Sequence, residues 1–283
     1  EVADMDLKII DLAENHAKFV ISGIRPDMAN ALRRALMTEV PKMAIETVEF
    51  HLGPIRDEDG KECESVSPLF DEIISHRLGL IPIPTDPDLY VFKDKCTCEG
   101  EGCPNCTIMY SLNKKGPCDV YSGDLEPLGG QELRVKDELI PIVKLGPKQA
   151  LLIYASAELG TAKRHAKWQV TSGCGYRYYP TVTIDPGKCD ASADCVKVCP
   201  RGVLEKKDGK VVVANLEACI LCGACVDACI KNAISIHGDD RKFIFEFETD
   251  GSMSSRDTLR KAFEVLEKKF DDFREDVSTL IEG

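Results

Sequence analysis

The stretch CILCGACVDAC, residues 219–229, spaces its cysteines as Cys219-x2-Cys222-x2-Cys225-x3-Cys229. That spacing lets three thiolates of one loop wrap an iron-sulfur cubane while the fourth reaches a neighbouring cluster. The run KCDASADCVKVCP, residues 188–200, nearly repeats it at an offset of 30, so that Cys189, Cys195 and Cys199 align with Cys219, Cys225 and Cys229. GVL (202–204) aligns with NAI (232–234), and Ser192 stands where the second run has Cys222. Four thiolates alone would also suit zinc, but two such runs fit a two-cluster ferredoxin better. If ligands cross over between runs as in those ferredoxins, one 4Fe-4S cluster takes Cys199, Cys219, Cys222 and Cys225. The second site takes Cys189, Cys195 and Cys229, with Ser192 at the fourth position. This donor set suits a 3Fe-4S cluster, or a 4Fe-4S cluster whose fourth iron is held by Ser192, Asp190, Asp194 or water. Ile230 also replaces the proline that normally follows the last cysteine.

Working outward, LEKKDGKVVV reads as strand, Asp208-Gly209 turn, strand, and AISIHGDDRKFIF reads the same way with Gly238-Asp239 at the turn. So small a module has few apolar residues for a core, which makes the clusters structural staples at the least.

The chain has 283 residues, 14 of them cysteine, and 36 Lys and Arg against 48 Asp and Glu, a net charge of -12. Such a surface repels a phosphate backbone, so no direct sequence-specific contact with nucleic acid is expected. The segment EVADMDLKII has no basic and apolar leader pattern, and no apolar run approaches the roughly 18 residues of a membrane span. A cytoplasmic protein is expected, in which thiols stay reduced and available to metals. KCTCEGEGCPNC supplies a further ligand set, Cys96, Cys98, Cys103 and Cys106, with Gly100 and Gly102 between them. Four thiolates with no open position point to structural zinc. Cys63, Cys118 and Cys174 stand alone, and isolated cysteines are usually small buried apolar residues.

The remaining chain reads as scaffold. DLKIIDL and AKFVISG form a hairpin around Ala13, Glu14 and Asn15, and a helix opens at Pro26 with Met28, Ala31, Leu32, Ala35 and Leu36 on one stripe. Arg33 and Arg34 point away from the stripe, which by itself reads as a solvated face. SPLFDEIISHRLG reads as a second helix with Ser67 as N-cap, Pro68 at the first position and Gly79 as the stop. His76 there has no adjacent nucleophile or ligand and reads as structural. Near the C-terminus, Leu259, Phe263, Leu266, Phe270, Phe273, Val277 and Leu280 are spaced alternately by four and three, behind a Ser254–Asp257 capping-box pattern. The stripe could pack on the chain's own sheet, but a helix of this length outspans a small domain and suggests a partner helix.

RPDMANALRRALMTEVPKMAIETVEF and DEIISHRLGLIPI resemble the two signature segments of the alpha-like subunits of cellular RNA polymerases, and HAKWQ (165–169), YYPTV (178–182) and the long last helix follow in the family's order. The inserted cysteine runs narrow the resemblance to the archaeal alpha-like subunits of the D type, and the 96–106 loop is similar to the zinc loop of the eukaryotic counterpart. The resemblance implies an α+β chain. An alpha-like dimerisation domain (1–48, 168–184 and 239–283) carries an inserted domain with the zinc loop (49–167) and an inserted two-cluster ferredoxin-like domain (185–238). It further implies a non-catalytic assembly subunit that pairs with subunit L and, with subunits N and P, provides the platform for the large catalytic subunits. The heptad seam, including Leu259, Phe263, Leu266, Phe270 and Phe273, would bind the partner, and Arg33 and Arg34 match the family's element facing the second-largest subunit. No residue matches the polymerase's catalytic aspartates, which the resemblance places on the largest subunit. The alternative is a ferredoxin-type electron-transfer protein, although no flavin or dinucleotide fingerprint accompanies the clusters. Clusters that sense oxidants during assembly are compatible with the first reading.

Overall fold

The alternating apolar residues of the N-terminal stretch produce the expected hairpin, with Asp6–Leu12 antiparallel to His16–Ser22 in a computed structural model that describes residues 5–56 and 62–282. Positions 1–4, 57–61 and 283 of the expected domains, and the start of the leader reading, lie outside the described residues. The chain divides into two compact units.

The first unit comprises residues up to 12, 17–33 and 174–247. Its sheet has four strands in the order Asp6–Leu12, His16–Ser22, Ile234–Thr249, Thr171–Ile184. Phe19 stacks on Phe245 at 5.1 Å, and Tyr176 meets Phe245 and Phe243 at 5.2 and 5.6 Å. All three phenylalanines are fully buried, each contributing about 1.5–3 kcal/mol of transfer free energy. Pro180 lies in an edge strand, the place in a sheet where proline is tolerated.

The turn expected at Gly238-Asp239 does not form, and Ile234–Thr249 is one continuous strand of 16 residues. A Cβ at Gly238 would lie 2.7 Å from Tyr178 Cβ. This glycine therefore answers a close approach from a neighbouring strand, a role that looks like a turn when only composition is read. The other expected hairpin is present: Leu204–Lys207 pairs with Lys210–Val213, and Asp208 (φ 50°) and Gly209 (φ 74°) take the left-handed conformations a tight hairpin turn demands.

The second unit comprises residues 13–16, 34–173 and 248–283. Its sheet runs Lys42–Phe50, Ala150–Gly160, Thr107–Lys115, Glu126–Pro127. Met43, Ile45, Ile74, Leu78, Tyr110 and Ile153 are central to its core. Trp168, from HAKWQ, is buried and donates through Nε1 to the Glu158 carbonyl at 3.1 Å. A Cβ at Gly160 would stand 2.3 Å from the indole, so glycine is what admits the ring.

The helix containing DEIISHRLG spans Asp71–Gly79, and so begins later than expected. Ser67 Oγ does not cap it. Instead it takes up the Leu69 N–H (3.3 Å) and donates to the Leu69 carbonyl in a local turn, the competition that short hydroxyl side chains offer to helices. Gly79 is its last helical residue, and Leu80 follows in a right-handed conformation, so Gly79 is not a left-handed stop. In the first helix, Pro26–Thr38, the buried stripe is Ala29, Leu32, Ala35 and Leu36, while Met28 is exposed. The terminal helix spans Ser255–Glu282. At its start the Asp257 N–H donates to Ser254 Oγ (3.1 Å), the first half of the expected capping box, while the Asp257 carboxylate accepts from the Ser254 hydroxyl (2.6 Å) in place of the backbone N–H that a full box would use. Among the described residues no helix is long and apolar enough to cross a membrane.

Candidate metal centres and partner surface

The loop between Phe92 and Thr107 reverses tightly because Glu99, Gly100 and Gly102 adopt positive φ values of 54°, 87° and 98°. This brings the Sγ atoms of Cys96, Cys98, Cys103 and Cys106 within 4.8 Å of one another. Cys96–Cys103, Cys98–Cys106 and Cys103–Cys106 lie 3.5, 3.6 and 3.8 Å apart. A tetrahedron with Zn–S bonds of about 2.3 Å has edges of about 3.8 Å, so the four sulfurs fit zinc. The Gly102 N–H is the main cause holding the Cys98 thiol down at about 6, whereas burial pushes Cys106 up to about 12. Zinc would be held here by Cys96, Cys98, Cys103 and Cys106 as thiolates, so binding it would release protons from the thiols.

The paired runs gather sulfur differently. Cys199, Cys219, Cys222 and Cys225 line one cavity, walled by Val182, Val203, Leu204 and Ile236. Burial pushes the Cys225 thiol up, and the potentials of Cys199, Cys219 and Cys222 add to the effect. Cys195 is likewise raised by burial, with Cys229 and Cys189 adding to it. An apolar cavity fringed by four cysteines suits a cubane, which would be held by these thiolates.

The backbone repeats with the cysteines. Ala191 and Leu221 have φ 57° and 58°, Ala193 and Gly223 have φ 66° and 79°, and Gly202 and Asn232 have φ 60° and 50°. The Val203 N–H donates to Cys199 Sγ and the Ala233 N–H to Cys229 Sγ, both at 3.3 Å. These two donors went unread in the sequence, although the offset of 30 residues relates them. Ser192 and Cys222 are both exposed. The Ser192 N–H donates to Asp190 Oδ1 at 3.1 Å, and this bond holds the Asp190 carboxyl below the usual range.

On the terminal helix the seam changes character along its length. Leu259 is buried within the chain, as is Ala262, so the surface open to a partner begins beyond it. Phe263 and Leu266 pack partly against the chain, whereas Phe270 and Phe273 are 64% and 67% exposed. Near the changeover, Lys269 reaches Glu39, which Lys163 also contacts at 3.0 Å. Burial works against ionisation of Glu39, but the hydrogen bonds from Lys269 and Lys163 outweigh it and hold its carboxyl below the usual range. No sequence pattern announces a clasp between residues 230 positions apart. Arg33 is half-buried and donates to Asn30 Oδ1 at 3.0 Å, while Arg34 is exposed. Each of the three lone cysteines is free of disulfide bonds, and Cys63 is buried.

A chain with this sheet, this order of segments and a long terminal helix falls into a defined class. It belongs to the RNA polymerase Rpb3/Rpb11 dimerisation-domain family, whose model matches residues 18–270. Among its relatives, the DNA-directed RNA polymerase subunit Rpo3 of Thermoplasma volcanium is 45% identical over 262 residues, covering 93% of this chain and 95% of the relative. Rpo3 of Picrophilus torridus is 43% identical over 272 residues (96% and 99%), and that of Methanothermobacter thermautotrophicus is 40% identical over 282 residues (99% and 100%).

Proposed function

We propose that this chain is the Rpo3 subunit, of the alpha-like D type, of an archaeal DNA-directed RNA polymerase, and that it assembles the enzyme without itself performing catalysis. It pairs with a smaller Rpb11-like subunit, subunit L. The observation that carries this reading is the pair of exposed aromatic side chains, Phe270 and Phe273, on the long helix of a dimerisation-family chain. Large aromatic surface left in water on one helix is covered when a second helix packs on it. Subunits N and P and the second-largest subunit join the resulting platform, the last through Arg33 and Arg34. The cysteine sets hold one 4Fe-4S cluster, a second cluster that is 3Fe-4S or 4Fe-4S, and one zinc ion. The clusters supply cross-links that hold the small module together, and their loss in oxidant connects assembly to redox state.

Replacing Phe270 by Asp tests the pairing. A charge buried in a helix contact without a partner costs about 3–5 kcal/mol, so Phe270→Asp should lose the smaller subunit on co-purification while Phe270→Leu keeps it. A heterodimer retained by Phe270→Asp, with unchanged helical content, would overturn the proposal.

A further inference from the structure

Beside the 96–106 loop, the second unit carries a groove of about 710 Å³ bordered by the 84–90 loop, the 129–136 loop and the base of the terminal helix. Pro84, Pro87 and Pro104 wall it, and Leu89, at its rim, is 58% exposed. Tyr90 lies in the floor, and Asp86 and Glu132 both act on it electrostatically after burial in raising its hydroxyl pKa. The groove's cations among the described residues are already engaged. Lys136 contacts Glu14 at 3.3 Å, and Arg260 contacts Asp88 at 2.7 Å and Asp257 at 3.4 Å. Asp86 accepts the Asp88 N–H at 2.9 Å, and Glu132 has no hydrogen-bond or ion-pair partner among the described residues.

We infer that this groove seats an extended, lysine- or arginine-bearing segment of a neighbouring polymerase subunit. Charge complementarity selects the occupant. The aliphatic stem of a basic side chain lies against proline and leucine while its head reaches the carboxylates of Asp86 and Glu132, the division that long cationic side chains favour. A phosphate or an acidic peptide is repelled by the same field. That the neighbour is a polymerase subunit rests on the family to which the chain belongs.

The test uses polymerase reconstituted with the full chain in which Leu89 is replaced by the photo-cross-linking residue p-benzoylphenylalanine. Assembly is checked before irradiation, so a failure to pair with the smaller subunit is seen separately and counts against the reading above. The expected result is a cross-link to one segment of another subunit carrying net positive charge. Its yield should fall by about tenfold in the Asp86→Asn, Glu132→Gln double variant, the loss of two charge-assisted contacts. It should also fall as salt is raised. No intersubunit cross-link in assembled enzyme, a cross-link to a neutral or acidic segment, or a yield indifferent to the double variant would each overturn the inference.

Discussion

In the run of residues 189–199 the backbone visits the left-handed region at Ala191 and Ala193, where the run of residues 219–229 visits it at Leu221 and Gly223. The exposure of residues 191–197 repeats residue by residue in 221–227. Yet the first run presents Ser192 where the second presents Cys222. The comparison separates two things that cysteine motifs usually combine. The loop path is set by turn geometry and by the N–H groups that close on Cys199 and Cys229. The donor at the exposed position can change without altering that path. Alanine tolerates the left-handed region poorly, costing on the order of 1 kcal/mol relative to glycine, so the first run keeps the path at some local expense.

The largest effect should come from breaking the complete site. Cys219→Ser with Cys222→Ser should remove one cluster's iron and with it the metal–thiolate bonds that help hold the module folded. Iron analysis and limited proteolysis should show the 185–233 segment becoming cleavable. The smaller subunit should still co-purify, while recruitment of the large subunits weakens; loss of the pair itself would show that module and partner surface fold as one.

Next in size, Cys103→Ser with Cys106→Ser should reduce zinc to background with iron unchanged, because this donor set is closed within one loop. Unchanged zinc by elemental analysis would show that these four thiolates do not hold it. Restoring the absent thiolate is gentler. A serine alkoxide is a harder and more basic ligand than a thiolate, so the unmodified protein, prepared anaerobically and mildly oxidised, should give a 3Fe-4S paramagnetic resonance signal that Ser192→Cys abolishes. Two equally stable 4Fe-4S clusters before substitution would mean that Ser192 or an adjacent aspartate already ligates well. The smallest effects test the backbone. Ala193→Gly should stabilise the module and Gly223→Ala should destabilise it, each by about 1 kcal/mol in thermal unfolding; equal shifts of the same sign would show that the two loops are not held alike.

Much of this was legible because local chemistry repeats along the chain. The cysteine spacing, the Asp208-Gly209 turn and the Ser254 cap are all carried by neighbours in sequence. What misled were residues whose reason lies elsewhere in the fold. Gly238 is small because Tyr178 stands over it, and Ser67 serves a turn of its own. The seam was visible as a period, but which of its residues the chain covers for itself was not. Leu259 and Phe273 occupy equivalent heptad positions only in one dimension, and one is buried while the other faces water. Glu39 and its two lysines, like Asp86 and Glu132, were beyond reach because charge convergence across distant segments leaves no spacing to read.

The Asp185 N–H donates to the Ala233 carbonyl at 2.8 Å, at the far end of the two adjacent strands Thr171–Ile184 and Ile234–Thr249. The segment carrying the paired cysteine runs therefore leaves and rejoins the sheet through a single gate, as a bead threaded on the tip of a ribbon. For the strand pairing, what lies beyond that gate is chiefly a matter of loop length, and the entropy of closing a loop grows only with the logarithm of its length, although Val182 and Ile236 of these strands also wall the cysteine cavity. A lineage could trim the bead to a short turn, or lose its cysteines one at a time, without resetting the strand pairing beneath. Ser192, exposed on its loop, occupies one such position with the left-handed backbone path of the paired run kept.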